Sequence, residues 1–467
     1  MHAARTMNLS WTRAGALALG LATLLGGCGG PSVTDAGGDT ATDGTGDSSA
    51  NRPPRWVDPP ATAMLDQGRH TRIDVRIEDP DGDAIVHSVT APMGMSLTVE
   101  GTAPMLRWHL FADYTVQGEQ ALQIESVDAR GARTVHSLTV TVRPLRWLRR
   151  HQWTADPLAR EHAVMLLDGM RNEILLLGGS GYMPYGMPLG DSWRLNLATG
   201  AWTMATLDGD GLPAAGSRRG ATLPDGTSYL FGGYPTMGTN TNDVFRVTLR
   251  DGGATTLRLM QRSPPSARSL HAFGYDPMSR RFALFGGVGS TILSDTWTMT
   301  LEGDTAVWTR VDAADGPTPR YGMFYGMDEE RGRLIVWSGA QAFSPLDPAN
   351  DAWALDVRAT PPVWHQLTMG DEAGTPNGRR NGGGVFDPTG PRLFVFGGTA
   401  DARTSEMGLW ALDLEPGAER WARVQLPQEP PVRSSSFGVF DARRGEVFMG
   451  FGNTSSAVMR DVLVLGY

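Results

Sequence analysis

Arg160, Arg268, Arg320, Arg379 and Arg433 each stand 19 residues ahead of a glycine, respectively Gly179, Gly287, Gly339, Gly398 and Gly452. A sixth place in the series falls at Arg218-Arg219, where the distance to Gly233 is shorter. A guanidinium is a planar fork of donors that matches a carboxylate. An arginine repeated at one structural position could therefore ring a site for an anion. Arg160, Arg219, Arg268, Arg320, Arg379 and Arg433 are the candidate ligand-binding residues. The competing reading is architectural. Repeats share descent, so the same column arises if each arginine bridges loop carbonyls or pairs with an acid of its own unit.

A second constellation is acidic. Asp79, Asp81 and Asp83 alternate around Gly82, and Asp128 follows on a later segment. Carboxylate oxygens at this spacing suit calcium, a hard cation that takes oxygen ligands. The full twelve-residue calcium-loop pattern is absent, and Asp side chains also cap their own backbone in Gly-rich turns. Calcium is the one cofactor this pattern suggests.

Cys28 is the only cysteine, which excludes an internal disulfide, a cysteine-rich zinc site and an iron–sulfur cluster. It follows a basic stretch with Arg5 and Arg13 and an apolar run from Ala14 to Leu25. The segment Leu25-Gly26-Gly27-Cys28 resembles a bacterial lipobox. That resemblance implies lipidation at Cys28, removal of residues 1–28 apart from that cysteine, and attachment to the outer membrane of the cell envelope. An ordinary cleaved leader is the alternative. The net charge of −9 at pH 7, with no lysine among the 41 basic residues, opposes nucleic-acid binding. No HxH or HExxH metal pattern, nucleophile elbow or phosphate loop is present, and no catalytic residue is assigned. His162 and His271 follow the arginine column closely and are expected on inner strands, as core or pore-lining groups.

These side chains need a frame, and the chain divides accordingly. Residues 29–50 are Gly, Ser, Thr, Asp and Ala with almost nothing to pack, a flexible tether. Residues 51–143 hold short alternating runs at Arg72–Glu78, Ile85–Thr90, Ser96–Val99, Met105–Leu110, Ala121–Val127 and Thr134–Val142, the pattern of a small β-sandwich. Residues 144–467 repeat. Second glycines at Gly179, Gly233, Gly287, Gly339, Gly398 and Gly452 are spaced near 54 residues. Before each glycine pair stands an apolar strand. After it come an acid and an aromatic or Leu, as in Asp191/Trp193, Asp295/Trp297, Asp351/Trp353 and Glu406/Trp410. An outer Trp recurs at Trp202, Trp308, Trp364 and Trp421.

The glycine pairs, spaced aromatics and outer tryptophans resemble the kelch repeat family, whose period lies near 50. The residues DPDGDAIVHSV from Asp79 and Val127-Asp128-Ala129-Arg130-Gly131 resemble cadherin-like, Ig-like modules of bacterial surface proteins. Together these imply an all-β chain: an Ig-like β-sandwich followed by a six-bladed kelch-type β-propeller. The sixth unit ends without an outer strand, and the spacing of Trp147 assigns 144–153 to that place. The resemblance implies a lipid-anchored binding or scaffold protein that takes a protein or glycan through propeller loops and the channel mouth. Some kelch proteins use arginines at this position to hold acidic peptides. The copper-oxidase branch needs a Cys–Tyr crosslink and is excluded by the lone Cys28. A carbohydrate-active enzyme with its site in the mouth and a structural spacer are the alternatives.

Overall fold

In the kelch-like units the strand before each glycine pair is apolar at consecutive positions, as in Leu175-Leu176-Leu177 and Leu334-Ile335-Val336-Trp337. Side chains of a strand alternate between two faces, so such a run must be buried on both. The computed structural model shows how. It describes residues 50–467 except 154, 182–185, 237, 313–314, 345, 371, 401–407, 416–418, 430 and 455–456. Cys28, the 1–28 leader and the 29–50 tether lie outside the described residues, apart from Ala50, and so does Glu406. Asn51–Tyr467 form one unit. Among the described residues every regular element is a strand.

Six sheets of four or five strands make up the repeat region, and none closes on itself. Their first strands are Val164–Asp168, Arg219–Thr222, Ala272–Asp276, Phe324–Asp328, Gly383–Asp387 and Phe437–Asp441. Each touches the first strands of two neighbours, and the order of contact returns from the sixth sheet to the first. One hydrophobic cluster fills each junction. Ile174 and Leu176 join Phe448 and Val462 of the sixth sheet, while Leu175 and Leu177 join Leu230 and Phe245 of the second. The alternation along one strand thus feeds two cores. The sixth sheet takes its outermost strand from Arg146–Gln152, which pairs antiparallel with Asp461–Gly466, as the Trp147 spacing predicts. Two other connections add an edge: Thr206–Gly209 runs parallel to Gly253–Arg258, and Met260–Arg262 runs parallel to Thr305–Val311.

Residues 51–143 form two four-stranded sheets. Inward side chains of both, including Ile77, Leu106, Leu122 and Val140, surround the fully buried Trp108. All six runs read from the sequence are strands here. Two short strands escaped that reading, Arg55–Val57 and Thr62–Asp66, because Pro-rich flanks and lengths of 3 and 5 residues leave no period to see. The loop Gln67–Arg69 rests on the fifth and sixth repeats. Arg392, 2% exposed, donates to the carbonyls of Gln67 and Gly68, to Tyr114 Oη at 2.8 Å and to Asp387 at 2.8 Å, and also reaches Tyr467. This guanidinium ties the two parts together, with the contacts of Arg69 to Asp387 and of Tyr467 Oη to Gln67 O beside it.

If Arg146–Gln152 is the strand that completes the sixth sheet, His151→Pro removes a ladder donor opposite Val462. It should destabilise the protein by about 3 kcal/mol. Arg150→Gln, which loses only the 2.7 Å ion pair to Asp461, should cost about 1 kcal/mol. Equal melting curves for the two variants would show that the strand's backbone is not needed.

Candidate binding site

The arginine column is buried. Arg160, Arg268, Arg320 and Arg433 are 0% exposed and Arg379 is 1% exposed. In the first four, Nη1 and Nη2 grip both oxygens of an acid in the same repeat, Asp191, Asp295, Asp351 and Asp461, at 2.5 to 3.2 Å. Nη1 also donates to the carbonyl of the first residue of the glycine pair, as to Gly178 at 2.9 Å. Nε donates to the carbonyl two residues upstream. Trp193, Trp297 and Trp353 complete the arrangement by donating Nε1 to the same acids. These guanidiniums have their donors committed inside the fold and present no fork to a ligand. Arg379 lies against Trp337 and Phe324.

The second repeat departs from the sequence alignment. The residue after each column position bridges the loop beyond the glycine pair: Glu161, Ser269, Tyr321, Arg380 and Ser434, with Gly216 in the second repeat. The column position there is therefore Ala215, and neither Arg218 nor Arg219 holds it. Arg218 supplies a substitute, donating Nη1 to Pro213 O at 2.7 Å, the carbonyl two residues before Ala215. Arg219 begins the first strand of its sheet. The hairpin turn is one residue shorter in this repeat, and a gap placed from spacing alone shifted the column.

Two residues after the column comes a left-handed residue in every repeat: His162, Ser217, Leu270, Gly322, Asn381 and Ser435, with φ between 55° and 66°. Such φ values cost a non-glycine residue about 1 kcal/mol and persist where surroundings over-determine them. Here the backbones bond to one another. Ser217 N donates to His162 O, His162 N to Ser435 O, Ser435 N to Asn381 O, Asn381 N to Gly322 O and Gly322 N to Leu270 O. This annulus caps the axis around which the sheets are arranged.

On its outer side stand Glu161, Tyr234, Tyr321, Arg380 and Asn453. Asn453 Nδ2 donates to Glu161 Oε2 at 2.9 Å, and Arg380 Nη1 donates to Tyr321 Oη at 2.6 Å. Phe343, 59% exposed, packs on Tyr321 with ring centres 5.3 Å apart. Burial pushes the Glu161 carboxyl up, against a hydrogen bond from Ser435. Burial, helped by Arg219 and Arg380, pushes His162 down to about 3. Burial and the same Arg219, with Arg268, hold His271 well below its ordinary value. Both histidines are neutral at physiological pH.

On the inner side lies a cavity of about 420 Å³, lined along the first strands by Phe273, Tyr275, Tyr325, Phe386 and Phe440, with Arg219 and Glu329. Glycines let the strands approach: a Cβ on Gly326 would lie 2.7 Å from Phe386 Cβ. Burial and the neighbouring Asp276 push the Glu329 carboxyl up.

The acidic constellation is brought together in part. Asp79, Asp83 and Asp128 place carboxylate oxygens within 4.8 Å of one another. Asp81 does not join them. It is taken by Arg52, which donates from backbone N, Nε and Nη2, and by Arg130. Asp83 also receives Arg130 Nε at 2.7 Å. Asp79 Oδ1 caps the backbone N–H groups of Asp81 and Asp83, so the turn-capping reading holds for one oxygen. Asp79 Oδ2, Asp128 Oδ2 and Asn51 Oδ1 are buried with no donor among the described residues. Three orphaned buried oxygens fit a hard cation. Asn51, which donates Nδ2 to Asp128 Oδ1 at 3.1 Å, was not marked from the sequence because it precedes the recognisable motif by 28 residues.

The kelch-repeat family described as the KLHDC2/KLHL20/DRC7 Kelch-repeats domain matches residues 126–316. Putative adagio-like protein 2 of Oryza sativa subsp. japonica is 27% identical over 276 residues, 56% of this chain and 42% of that protein. Adagio-like protein 1 of the same plant is 29% identical over 276 residues, with the same shares. The chain thus spans less than half the length of these relatives. Among solved structures, that of YjhT is similar with a TM-score of 0.48 at 13% identity, covering 67% of this chain and 98% of that one. The repeat region carries kelch repeats in a β-propeller-like all-β fold.

The carboxyls of Asp191, Asp295 and Asp351 feel burial first, which would raise them. The arginine fork and the indole donor outweigh it and hold them below their ordinary value. A depressed folded-state value stabilises above the unfolded value of ~3.9 and is lost as pH falls through the folded one. Unfolding free energy should therefore fall below about pH 4. Asp351→Asn should cost about 3 kcal/mol at pH 7 by leaving Arg320 buried without its charge partner, and should flatten the acid slope. Urea melts between pH 3 and 7 measure both, and a wild-type slope in the variant would contradict the assignment.

Proposed function

We propose that this chain is a kelch-type binding or scaffold protein held on the cell envelope by a lipid on Cys28. In this reading the six sheets are the blades of a six-bladed β-propeller, and the N-terminal sheets are an Ig-like, cadherin-like sandwich that carries it. The ligand is a protein or a glycan, taken at the outer side of the annulus. The supporting observation is Phe343, 59% exposed and seated on the buried ring of Tyr321, beside the half-buried Arg380: an exposed aromatic and a cation on a backbone held by the neighbouring repeats. Aromatic and arginine side chains dominate binding surfaces because they offer large contact area for little lost freedom. The column arginines, being buried and paired, act in this reading as the frame and not as contacts. A glycoside hydrolase needs two facing carboxyl groups, whereas among the described residues the cavity lining holds one, Glu329; this supports binding over the carbohydrate-active alternative.

Capture from envelope extract by the full chain, compared with Phe343→Ala and Arg380→Ala, tests the site. At least a tenfold loss of the captured partner is expected in each, with unchanged melting. Equal recovery in both variants would sink the rim as the contact surface. Cys28→Ala should move the protein from the membrane to the soluble fraction, and an unchanged distribution would exclude lipid attachment there.

A second, independent reading concerns the N-terminal sheets. Asp79, Asp83, Asp128 and Asn51 form a cradle for calcium, supported by the three orphaned oxygens. Calcium at 100 times its dissociation constant would add about 2.7 kcal/mol of stability. Calcium, and not sodium at equal ionic strength, should raise the melting temperature, and Asp128→Asn should abolish the rise. A calcium response that survives in Asp128→Asn, or none in the wild type, would refute the cradle.

A further inference from the structure

Arg160, Arg268, Arg320, Arg433 and Arg218 are matched by acids or carbonyls. Arg219 is half-buried in the axial cavity, and no carboxylate of a described residue lies within ion-pair reach. Its Nε is buried without a hydrogen-bond acceptor. The guanidinium lies 5.8 Å from the ring centre of Tyr325, two sheets away. His162, His271 and Tyr325 feel its field and are neutral at physiological pH, and the carboxyls of Glu161, on the other side of the annulus, and Glu329, on the lining, form no ion pair with it. The two Nη groups of Arg219 are not among the buried atoms, so the fork is open to the cavity, and a planar fork so placed is matched by an oxyanion.

We propose that the axial cavity is a pocket for a small organic carboxylate with a flat apolar body, its carboxylate taken by Arg219. The volume of about 420 Å³ falls in the range of small-molecule pockets. Tyr325, Phe386 and Phe440, half-buried on the lining, offer ring surface for the ligand's body, whereas Phe273 and Tyr275 belong to the core between the second and third sheets. Among the described residues Glu329 is the one acid of the lining, so the far end of the ligand carries a hydrogen-bond donor and no second negative charge. Inorganic phosphate has the charge but nothing for the walls to hold. The site lies on the opposite side of the annulus from the Tyr321–Phe343 rim, so it stands or falls apart from the rim proposal.

Calorimetric titration of the full chain with benzoate, 4-hydroxyphenylacetate and indole-3-acetate, each against its neutral amide, and with inorganic phosphate, tests this. One-site binding is expected for at least one of the acids, at least tenfold tighter than its amide. Arg219→Gln should weaken it at least tenfold, with Arg219→Lys intermediate. Because the guanidinium has no ion pair to lose among the described residues and only a ring contact at 5.8 Å with Tyr325, Arg219→Gln should melt no lower than the wild type. Failure of all three acids, parity of acid and amide, phosphate binding in their place, or a fall in the melting temperature of Arg219→Gln would each overturn the proposal. Loss of partner capture in Phe343→Ala with carboxylate binding intact would leave it standing.

Discussion

The arrangement of the repeats rests on the carbonyl of the column residue, which in four of them is fixed by an arginine side chain as well. The Arg side chain closes its own repeat by joining the glycine pair to the acid that opens the third strand. Its main-chain carbonyl accepts from the second glycine of the preceding repeat. Those bonds run Gly179 to Ala215, Gly233 to Arg268, Gly287 to Arg320, Gly339 to Arg379, Gly398 to Arg433 and Gly452 to Arg160, at 2.9 to 3.1 Å. The last of them returns the sixth repeat to the first. A buried charge pair is not in itself strong evidence of stability, since desolvation offsets much of the attraction. Its value here is directional: the fork fixes where the carbonyl points, and the carbonyl fixes the next repeat.

From this follow the requirements on the glycine pair. Its first residue needs a positive φ so that its carbonyl meets the guanidinium, and Ser338 and Phe451 adopt that φ where glycine is absent. At the other glycines a side chain would strike the next repeat: a Cβ on Gly232 would lie 2.5 Å from Arg268 O. The annulus is set by the same geometry two residues on. Its strained backbone is held because neighbouring repeats are already fixed in register. A rigid rim and a walled cavity on one axis follow from a rule applied six times, and side chains at that axis are then free to vary. Arg219, Glu329, Tyr321 and Phe343 are such departures from the repeat.

How much of this could be read in the sequence depended on whether the physical cause was local. Strand runs such as Ile85–Thr90 were legible because alternation is written in consecutive residues. The strand Arg146–Gln152 was legible because the last repeat visibly lacked one. The arginine column, the glycine pairs, the acids and the tryptophans were each visible as separate columns. That they are one hydrogen-bonded device was not, because its members are 18 to 31 residues apart. The anion-binding role drawn from the column was therefore a reading of residue type without burial.

The amino-acid sequence by itself determined the all-β class, the kelch-like periodicity and the residues that recur. Periodicity is a property of neighbouring positions, and neighbouring positions are what a sequence records. Only the tertiary structure decided which charges are spent and which remain. It buried Arg160, Arg268, Arg320 and Arg433 against acids, put Ala215 in the second repeat's place, removed Asp81 from the acidic cradle and added Asn51. It also left Arg219 facing an aromatic cavity without a counter-charge. Partnering depends on which distant groups the fold brings within about 3 Å, and no local spacing encodes that distance.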